Sequence, residues 1–291
     1  MNILVLVNPT AGGGRTMKLL PSVKLWLAET PHSFEFKISG SREDIIRTTE
    51  DAVEKNYDAI LAFGGDGTFH DIVSFAKEDG PAFGLIPGGR GNDFVRNLNY
   101  PKELKNICQG FGNPVFRKID LPSVNGIPFL SIAGAGIDGE ISREVRDGKC
   151  RMGGTICYIW YLLKTLVSYK AMQLEIELDG KRINEFAILA AVANGSYFGG
   201  GMQLVPEAKM DDGWLDLIIL RNMSKLKIMR KFPMIYSGSH IPDVDIVLHR
   251  AKKISIKSDR EAELYADGEP LTNLPATFEI GQIQLRVIVP G

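Results

Sequence analysis

With 291 residues, 44% hydrophobic and 24% charged, the chain has the make-up of a globular protein long enough for two domains. Its formal net charge of −1 gives no global reason to bind nucleic acid. Cys108, Cys150 and Cys157 form no C-x-x-C pair, the four histidines show no ligand spacing, and no uncharged apolar run reaches about 18 residues. These features exclude a disulfide framework, a histidine metal centre and a membrane-spanning helix, and they fit a reducing cytoplasm with no signal peptide ahead of Asn2.

In chain order, residues 3–7 (Ile-Leu-Val-Leu-Val) read as a strand, followed by the loop Asn8-Pro9-Thr10-Ala11-Gly12-Gly13-Gly14 and a helix over 17–28. A second strand covers 34–38, and a second helix 43–55. Residues 59–63 form a third, fully apolar strand that runs into Gly64-Gly65-Asp66-Gly67-Thr68. Phe69, Ile72, Val73 and Ala76 then recur at helical spacing, and Thr68 with Asp71 fits a capping box at that helix start. A fourth strand, 83–86, leads into Pro87-Gly88-Gly89-Arg90-Gly91 and a helix opening near Asn92.

This alternation predicts a parallel sheet wrapped by helices, with the three glycine loops at the carboxyl ends of their strands, where such sheets bind ligands. A glycine turn entering a helix N-terminus points backbone N–H groups at an anion. Asp66 would repel a phosphate directly, so its place there suits a magnesium ion or a hydroxyl proton.

Beyond residue 120 the rhythm changes to short alternating segments. Residues 174–178, Asp179-Gly180 and 182–193 read as a hairpin. Residues 214–220, 253–257, 263–266 and 277–289 read as further strands of a mostly antiparallel β-sandwich. Two helical insertions interrupt it. The first, about 137–170, carries Ile137, Ile141 and Val145 on one stripe, then Arg143, Arg146, Lys149 and Arg151, then an apolar run from Ile156 to Leu163. The second, about 224–236, sets Leu226, Met229 and Phe232 beside Lys225, Lys227, Arg230 and Lys231. Core helices with solvated lysines and a lipid-facing surface are both open readings of that spacing.

Gly134-Ala135-Gly136-Ile137-Asp138-Gly139 matches the dinucleotide fingerprint G-x-G-x-x-G, but no acidic residue follows at about 20 positions and the context is not βαβ. A close-packed turn is the better reading. No P-loop or G-x-S-x-G motif occurs. Two acidic loops remain. Asp267-Gly268-Glu269 reads either as a plain hairpin turn or as a pair of presented carboxylates. Lys209-Met210-Asp211-Asp212-Gly213-Trp214 reads as a solvated loop or a hard-cation site.

Taken together, the residue 7–14 loop, the Gly64 pentapeptide, Ile86 to Phe94, Gly134 to Gly139, the loop from Pro206 to Asp216 and Asp267-Gly268-Glu269 resemble the bacterial lipid kinases that carry a diacylglycerol-kinase catalytic domain. The resemblance implies an α/β nucleotide-binding domain over 1–120, like those of phosphofructokinase and NAD kinase. It also implies a β-sandwich lipid-substrate domain with helical insertions over 121–291, and ATP in the cleft between them. It further implies an ATP site made of Asn8, Pro9, Gly12, Arg15, Ser39, Gly64, Gly65, Gly67, Thr68, Gly88, Gly89 and Asn92. Asp66 would lie on the magnesium side, Asp267 would be the general base with Glu269 as its rival, and a structural Mg²⁺ would sit on Lys209, Asp212 and Trp214. His70-Asp71 and Arg90 depart from the common Asn-Glu and Thr. The expected activity is ATP- and Mg²⁺-dependent phosphorylation of a lipid hydroxyl, with diacylglycerol as acceptor, by a peripheral protein of the inner membrane face. A homodimer is left open. The rival readings are an NAD kinase, against which the apolar insertions argue, and a silent nucleotide- or lipid-binding module, against which Asp66, Asp267 and Glu269 argue.

Overall fold

The structure, a computed structural model, describes residues 1–55, 57–147, 160–161, 164–165 and 169–291. The chain divides into two compact units, residues 1–121 with 281–291, and residues 122–280.

The first unit is α/β. Strands β1 (Asn2–Val7), β2 (Ser33–Ile38), β3 (Ala59–Gly64) and β4 (Ala82–Pro87) lie in the order β4-β3-β1-β2, all parallel. β1 and β3 are buried almost throughout, as expected of strands covered on both faces. The helices are α1 (Ala11–Ala28), α2 (Arg42–Glu54), α3 (Asp66–Val73), α4 (Asp93–Asn97) and α5 (Leu104–Gly110). Leu20, Val23 and Leu27 of α1 and Ile107, Cys108 and Phe111 at α5 pack on one core with β1, β3 and β4. Burial pushes the Cys108 thiol up to about 12. Iodoacetamide followed by peptide mass mapping should therefore leave Cys108 unlabelled in the native protein and label it in denaturant.

The last residues of the chain return to this unit, where Val287 pairs parallel with Phe83. The sequence reading left them in the second domain, because a run of alternating residues does not reveal its pairing partner.

The second unit is an antiparallel β-sandwich-like domain. Two strands, β5 (Val115–Val124) and β17 (Ala276–Val289), run across the division at 121 and 281; the others of this unit are β6 (Ile127–Pro128), β7 (Ile132–Gly136), β8 (Met172–Leu178), β9 (Lys181–Ala193), β10 (Tyr197–Phe198), β11 (Met202–Gln203), β12 (Leu215–Arg221), β13 (Ile246–Ala251), β14 (Lys253–Ser258), β15 (Glu263–Ala266) and β16 (Glu269–Asn273). β16-β15-β7-β9-β8-β14-β17 forms one path, and β12 pairs with β9 and β13. The β8–β9 hairpin turns on Asp179 (φ 48°) and Gly180 (φ 90°), the positive-φ pair that Asp-Gly favours. Sequence reading missed β5, β13 and β16 and the two-residue strands β6, β10 and β11; β16 carries Pro270, which weakens a strand signal.

The described helices of this unit include α6 (Ile137–Asp147) and α7 (Lys225–Lys231), the latter continued by a 3₁₀ turn, Phe232–Ser237. The stripe on Ile137 and Ile141 is buried, as the spacing predicts. The Val145 and Arg146 side chains, Lys149, Arg151, the apolar run from 156 to 159, Leu162 and Leu163, and Cys150 and Cys157, lie outside the described residues. Among the described residues, no helix is long and apolar enough to cross a membrane.

Candidate active site

β1, β3 and β4 are neighbours, so their three following loops meet at one edge of the sheet. Backbone bonds stitch them together: the N–H groups of Gly88 and Gly89 donate to the Gly64 carbonyl at 2.6 and 2.9 Å. A Cβ at Gly89 would lie 2.5 Å from Gly65 Cα, so only glycine lets the two chains approach this closely. Gly12, Gly13 and Gly14 have φ of 62, 70 and 85°, and the regular turns of α1 begin after them.

Asn8 brackets the edge. Its N–H donates to the Phe63 carbonyl at 3.0 Å, and its Nδ2 donates to Thr68 Oγ1 at 2.9 Å. Its Oδ1 accepts from the Thr10 N–H and hydroxyl. The expected Thr68–Asp71 capping box is therefore not formed. Gly65 is the N-cap, α3 starts at Asp66, and Asp71 instead takes two bonds from Arg42, at 2.7 and 2.9 Å. The first intrahelical bond is Phe69 N–H to the Gly65 carbonyl. The amides of Asp66, Gly67 and Thr68 thus precede it, at the positive end of a helix. A Cβ at Gly67 would meet nothing within 4 Å, so open space lies beside these amides.

Asp66 Oδ1 accepts from the Phe94 N–H at 3.0 Å, tying α3 to the start of α4. Asn92, at φ 56°, exchanges two bonds with Gly89. Ser39 is buried with its hydroxyl donating to the Val7 carbonyl at 3.1 Å. That bond spends it on the end of β1. Pro9 begins the loop after β1. Arg15 and Arg90 are exposed, and neither pairs with a carboxylate among the described residues. The Arg90 guanidinium stands over Gly13, 3.7 Å from where a Cβ there would lie.

In the second unit, Asp267 and Gly268 have φ of 50 and 90° and form the two-residue turn between β15 and β16. Asp267 turns its carboxylate inward. It accepts from the N–H groups of Leu130, Ser131 and Ile132 at 2.7, 2.8 and 3.2 Å. Glu269, two residues on, is exposed, and its side chain has no hydrogen bond or ion pair among the described residues. The turn thus presents two carboxylates of different kinds, one built into the backbone and one open.

The 209–214 loop borders a hollow of about 380 Å³ lined by Glu207, Lys209, Asp212, Asp216 and Arg250. Asp212 accepts from Arg250 and from the Trp214 N–H. Asp216 pairs with Arg250 through Oδ1 at 3.0 Å, while its buried Oδ2 has no hydrogen-bond partner among the described residues. Burial pushes the Asp216 carboxyl up, against the pull of Arg250. Among the described residues, no three acidic, histidine or cysteine side chains converge as a ready-made metal cage.

Gly134 and Gly136 are not a dinucleotide loop. β7 is antiparallel to β9 and β15. A Cβ at Gly134 would lie 2.7 Å from the Ala191 Cβ, so this glycine serves strand packing.

The lysines of α7 are also placed differently from a solvated fringe. Lys227 Nζ lies 2.6 Å from Asp243 and 2.5 Å from Asp245, and Lys231 lies 2.9 Å from Asp243. The bond from Lys227, then those from the Asp245 N–H and Lys231, hold the Asp243 carboxyl well below the usual carboxylate range.

Comparison with known proteins covers both units. Residues 2–124 match the diacylglycerol kinase catalytic domain, and residues 131–289 match the YegS C-terminal NAD kinase beta sandwich-like domain. The diacylglycerol kinase of Bacillus subtilis is 29% identical over 98% of this chain and 95% of its own length. That of Staphylococcus aureus (strain MRSA252) is 29% identical over 99% and 92%. A solved structure of a candidate diacylglycerol kinase from Bacillus anthracis superposes with a TM-score of 0.79 at 26% identity, covering 97% of this chain and 96% of that one. With both of its halves matched in order, the chain belongs to the diacylglycerol kinase catalytic-domain family, and it is a lipid kinase.

Proposed function

We propose that this lipid kinase transfers the γ-phosphate of ATP to the free hydroxyl of diacylglycerol. The observation that carries the reading is the convergence of three glycine loops on the free N–H end of α3. That is a phosphate cradle, in a chain whose curated relatives are named diacylglycerol kinases. The loops around Asn8, Gly64 and Gly88 receive the triphosphate. Asn8 and Ser39 act by holding strand ends and loops in place, since their side chains are already bonded there.

Phosphoryl transfer asks the protein to spread negative charge, align the hydroxyl and take its proton. The first unit supplies the loop amides and Arg15 and Arg90. Replacing Arg90 by Thr should raise the KM for ATP about tenfold with kcat little changed, because one charge-assisted phosphate contact is lost. An unchanged KM would place Arg90 outside the site. The second unit supplies the proton acceptor, and the geometry favours Glu269 over Asp267.

Magnesium fits at two places. At Asp66, Oδ1 is engaged by the Phe94 N–H and Oδ2 would remain for a magnesium ion that carries the phosphates. At the 209–214 loop, the Lys209 and Trp214 carbonyls, the Asp212 carboxylate and waters would suit an octahedral oxygen shell, and the unpartnered Asp216 Oδ2 marks the hollow as short of positive charge. The ion would supply charge neutralisation at the first place and loop rigidity at the second. Calorimetry with a non-hydrolysable ATP analogue tests the first. Binding should need Mg²⁺ and should weaken in Asp66→Asn, whereas equal affinity with and without Mg²⁺ counts against it.

The acceptor stays in bilayers, so the protein works at a membrane surface.

A further inference from the structure

Asn194 is a fully buried polar residue at the step after β9, where Ala193 pairs with Ile132 at the start of β7. Its side chain donates through Nδ2 to the Leu130 carbonyl at 2.8 Å. Its own N–H and that of Gly195 donate to the Ser131 carbonyl at 2.8 and 3.1 Å. A carbonyl only accepts, so the bond to residue 130 fixes which way the Asn194 amide points.

On their other side, the same peptide groups face Asp267. An extended strand turns successive N–H groups to opposite edges. Residues 130–132 instead turn three in a row to one carboxylate, as a backbone nest holds an anion. The Leu130 carbonyl and the Ser131 N–H belong to one peptide group, and the Ser131 carbonyl and the Ile132 N–H to the next. Each of these groups therefore accepts from the 194–195 side and donates to Asp267 Oδ1, at 2.8 and 3.2 Å. Bonds linked in series polarise one another, and each peptide plane is held at both ends. Asp267 closes the frame with its own N–H, which donates to the Ile132 carbonyl at 2.9 Å.

We propose that Asn194 is a positioning residue for phosphoryl transfer. It locks the 130–132 nest that seats Asp267, and so fixes the turn that presents Glu269. The inference rests on the reading of that turn as the source of the proton acceptor. Without the side-chain amide, the buried Leu130 carbonyl loses its donor. Rotating that peptide group to find another withdraws the Ser131 N–H from Asp267, and the turn shifts with it.

The test is the kinetics of Asn194→Thr, which is close to asparagine in volume but carries a hydroxyl one bond too short to replace Nδ2. Asn194→Ala is the second variant. Well below the melting temperature, kcat for lipid phosphorylation should fall about tenfold or more, the scale of a small misplacement of a reacting group, with the KM for ATP unchanged. Added to Glu269→Gln, the substitution should cost no further activity, because the group it positions is already gone. A parent-like kcat overturns the proposal. An equal loss in both backgrounds also overturns it, since Asn194 would then support the fold alone, and so does failure of both variants to fold. If Glu269→Gln by itself turns over like the parent, the base assignment falls. The positioning role then stands only if the Asn194→Thr loss vanishes in the Asp267→Asn background, and is overturned if it persists there.

Discussion

Glu269→Gln is expected to lower kcat by about 10²–10⁴-fold, the usual worth of a general base, with ATP affinity and melting temperature near those of the parent. An alcohol attacks phosphorus poorly while it keeps its proton, and Glu269 is the carboxylate of the β15–β16 turn with its oxygens open. Asp267→Asn is expected to behave differently. Its carboxylate accepts three backbone N–H groups across the gap to residues 130–132. An amide can serve only part of that set and turns an NH₂ towards donors. The loss should be about 2–4 kcal/mol of stability, read as a fall in Tm of roughly 5–15 °C. Activity measured well below that Tm should be reduced less than in Glu269→Gln. If Asp267→Asn melts like the parent and is the inactive variant of the two, Asp267 is the base.

Gly67→Val should weaken ATP binding by about a hundredfold or more with the fold intact. In the free protein a Cβ at this position meets nothing within 4 Å, and helical backbone costs valine only a few tenths of a kcal/mol relative to ordinary residues. The space it would fill lies beside the amides of Asp66, Gly67 and Thr68, where a phosphate must approach backbone. Gly65 is the less clean probe, because a Cβ there already sits 3.2 Å from Gly89 Cα and would strain the free loops. Calorimetry against an ATP analogue, with circular dichroism as the fold control, decides the matter. Parent-like affinity in Gly67→Val would move the nucleotide elsewhere.

The parallel sheet, the glycine loops and the Asp-Gly turns were legible in sequence because each rests on local chemistry. Apolar runs of strand length mark buried strands, and positive φ selects glycine and aspartate. What escaped depended on partners distant along the chain. Thr68 carries the spacing of a helix cap, yet β1 beside β3 brings Asn8 to its hydroxyl, and the helix starts two residues earlier. Asp267 and Glu269 look alike on one turn, and only the fold of residues 130–132 separates a structural carboxylate from an open one. Lys227 and Lys231 have the spacing of a basic fringe, but the 243–245 segment folds back and neutralises both. Arg250, which engages Asp212 and Asp216, lies in a strand that no periodicity announced.

The central claim is ATP-dependent phosphorylation of diacylglycerol. The most direct measurement incubates the purified protein with Mg²⁺, ATP radiolabelled in its γ-phosphate, and mixed micelles containing diacylglycerol, beside parallel reactions with other lipid alcohols and with NAD. The account predicts label in phosphatidic acid, dependent on Mg²⁺ and abolished in Glu269→Gln. Label in NADP, or in no lipid at all, would contradict it.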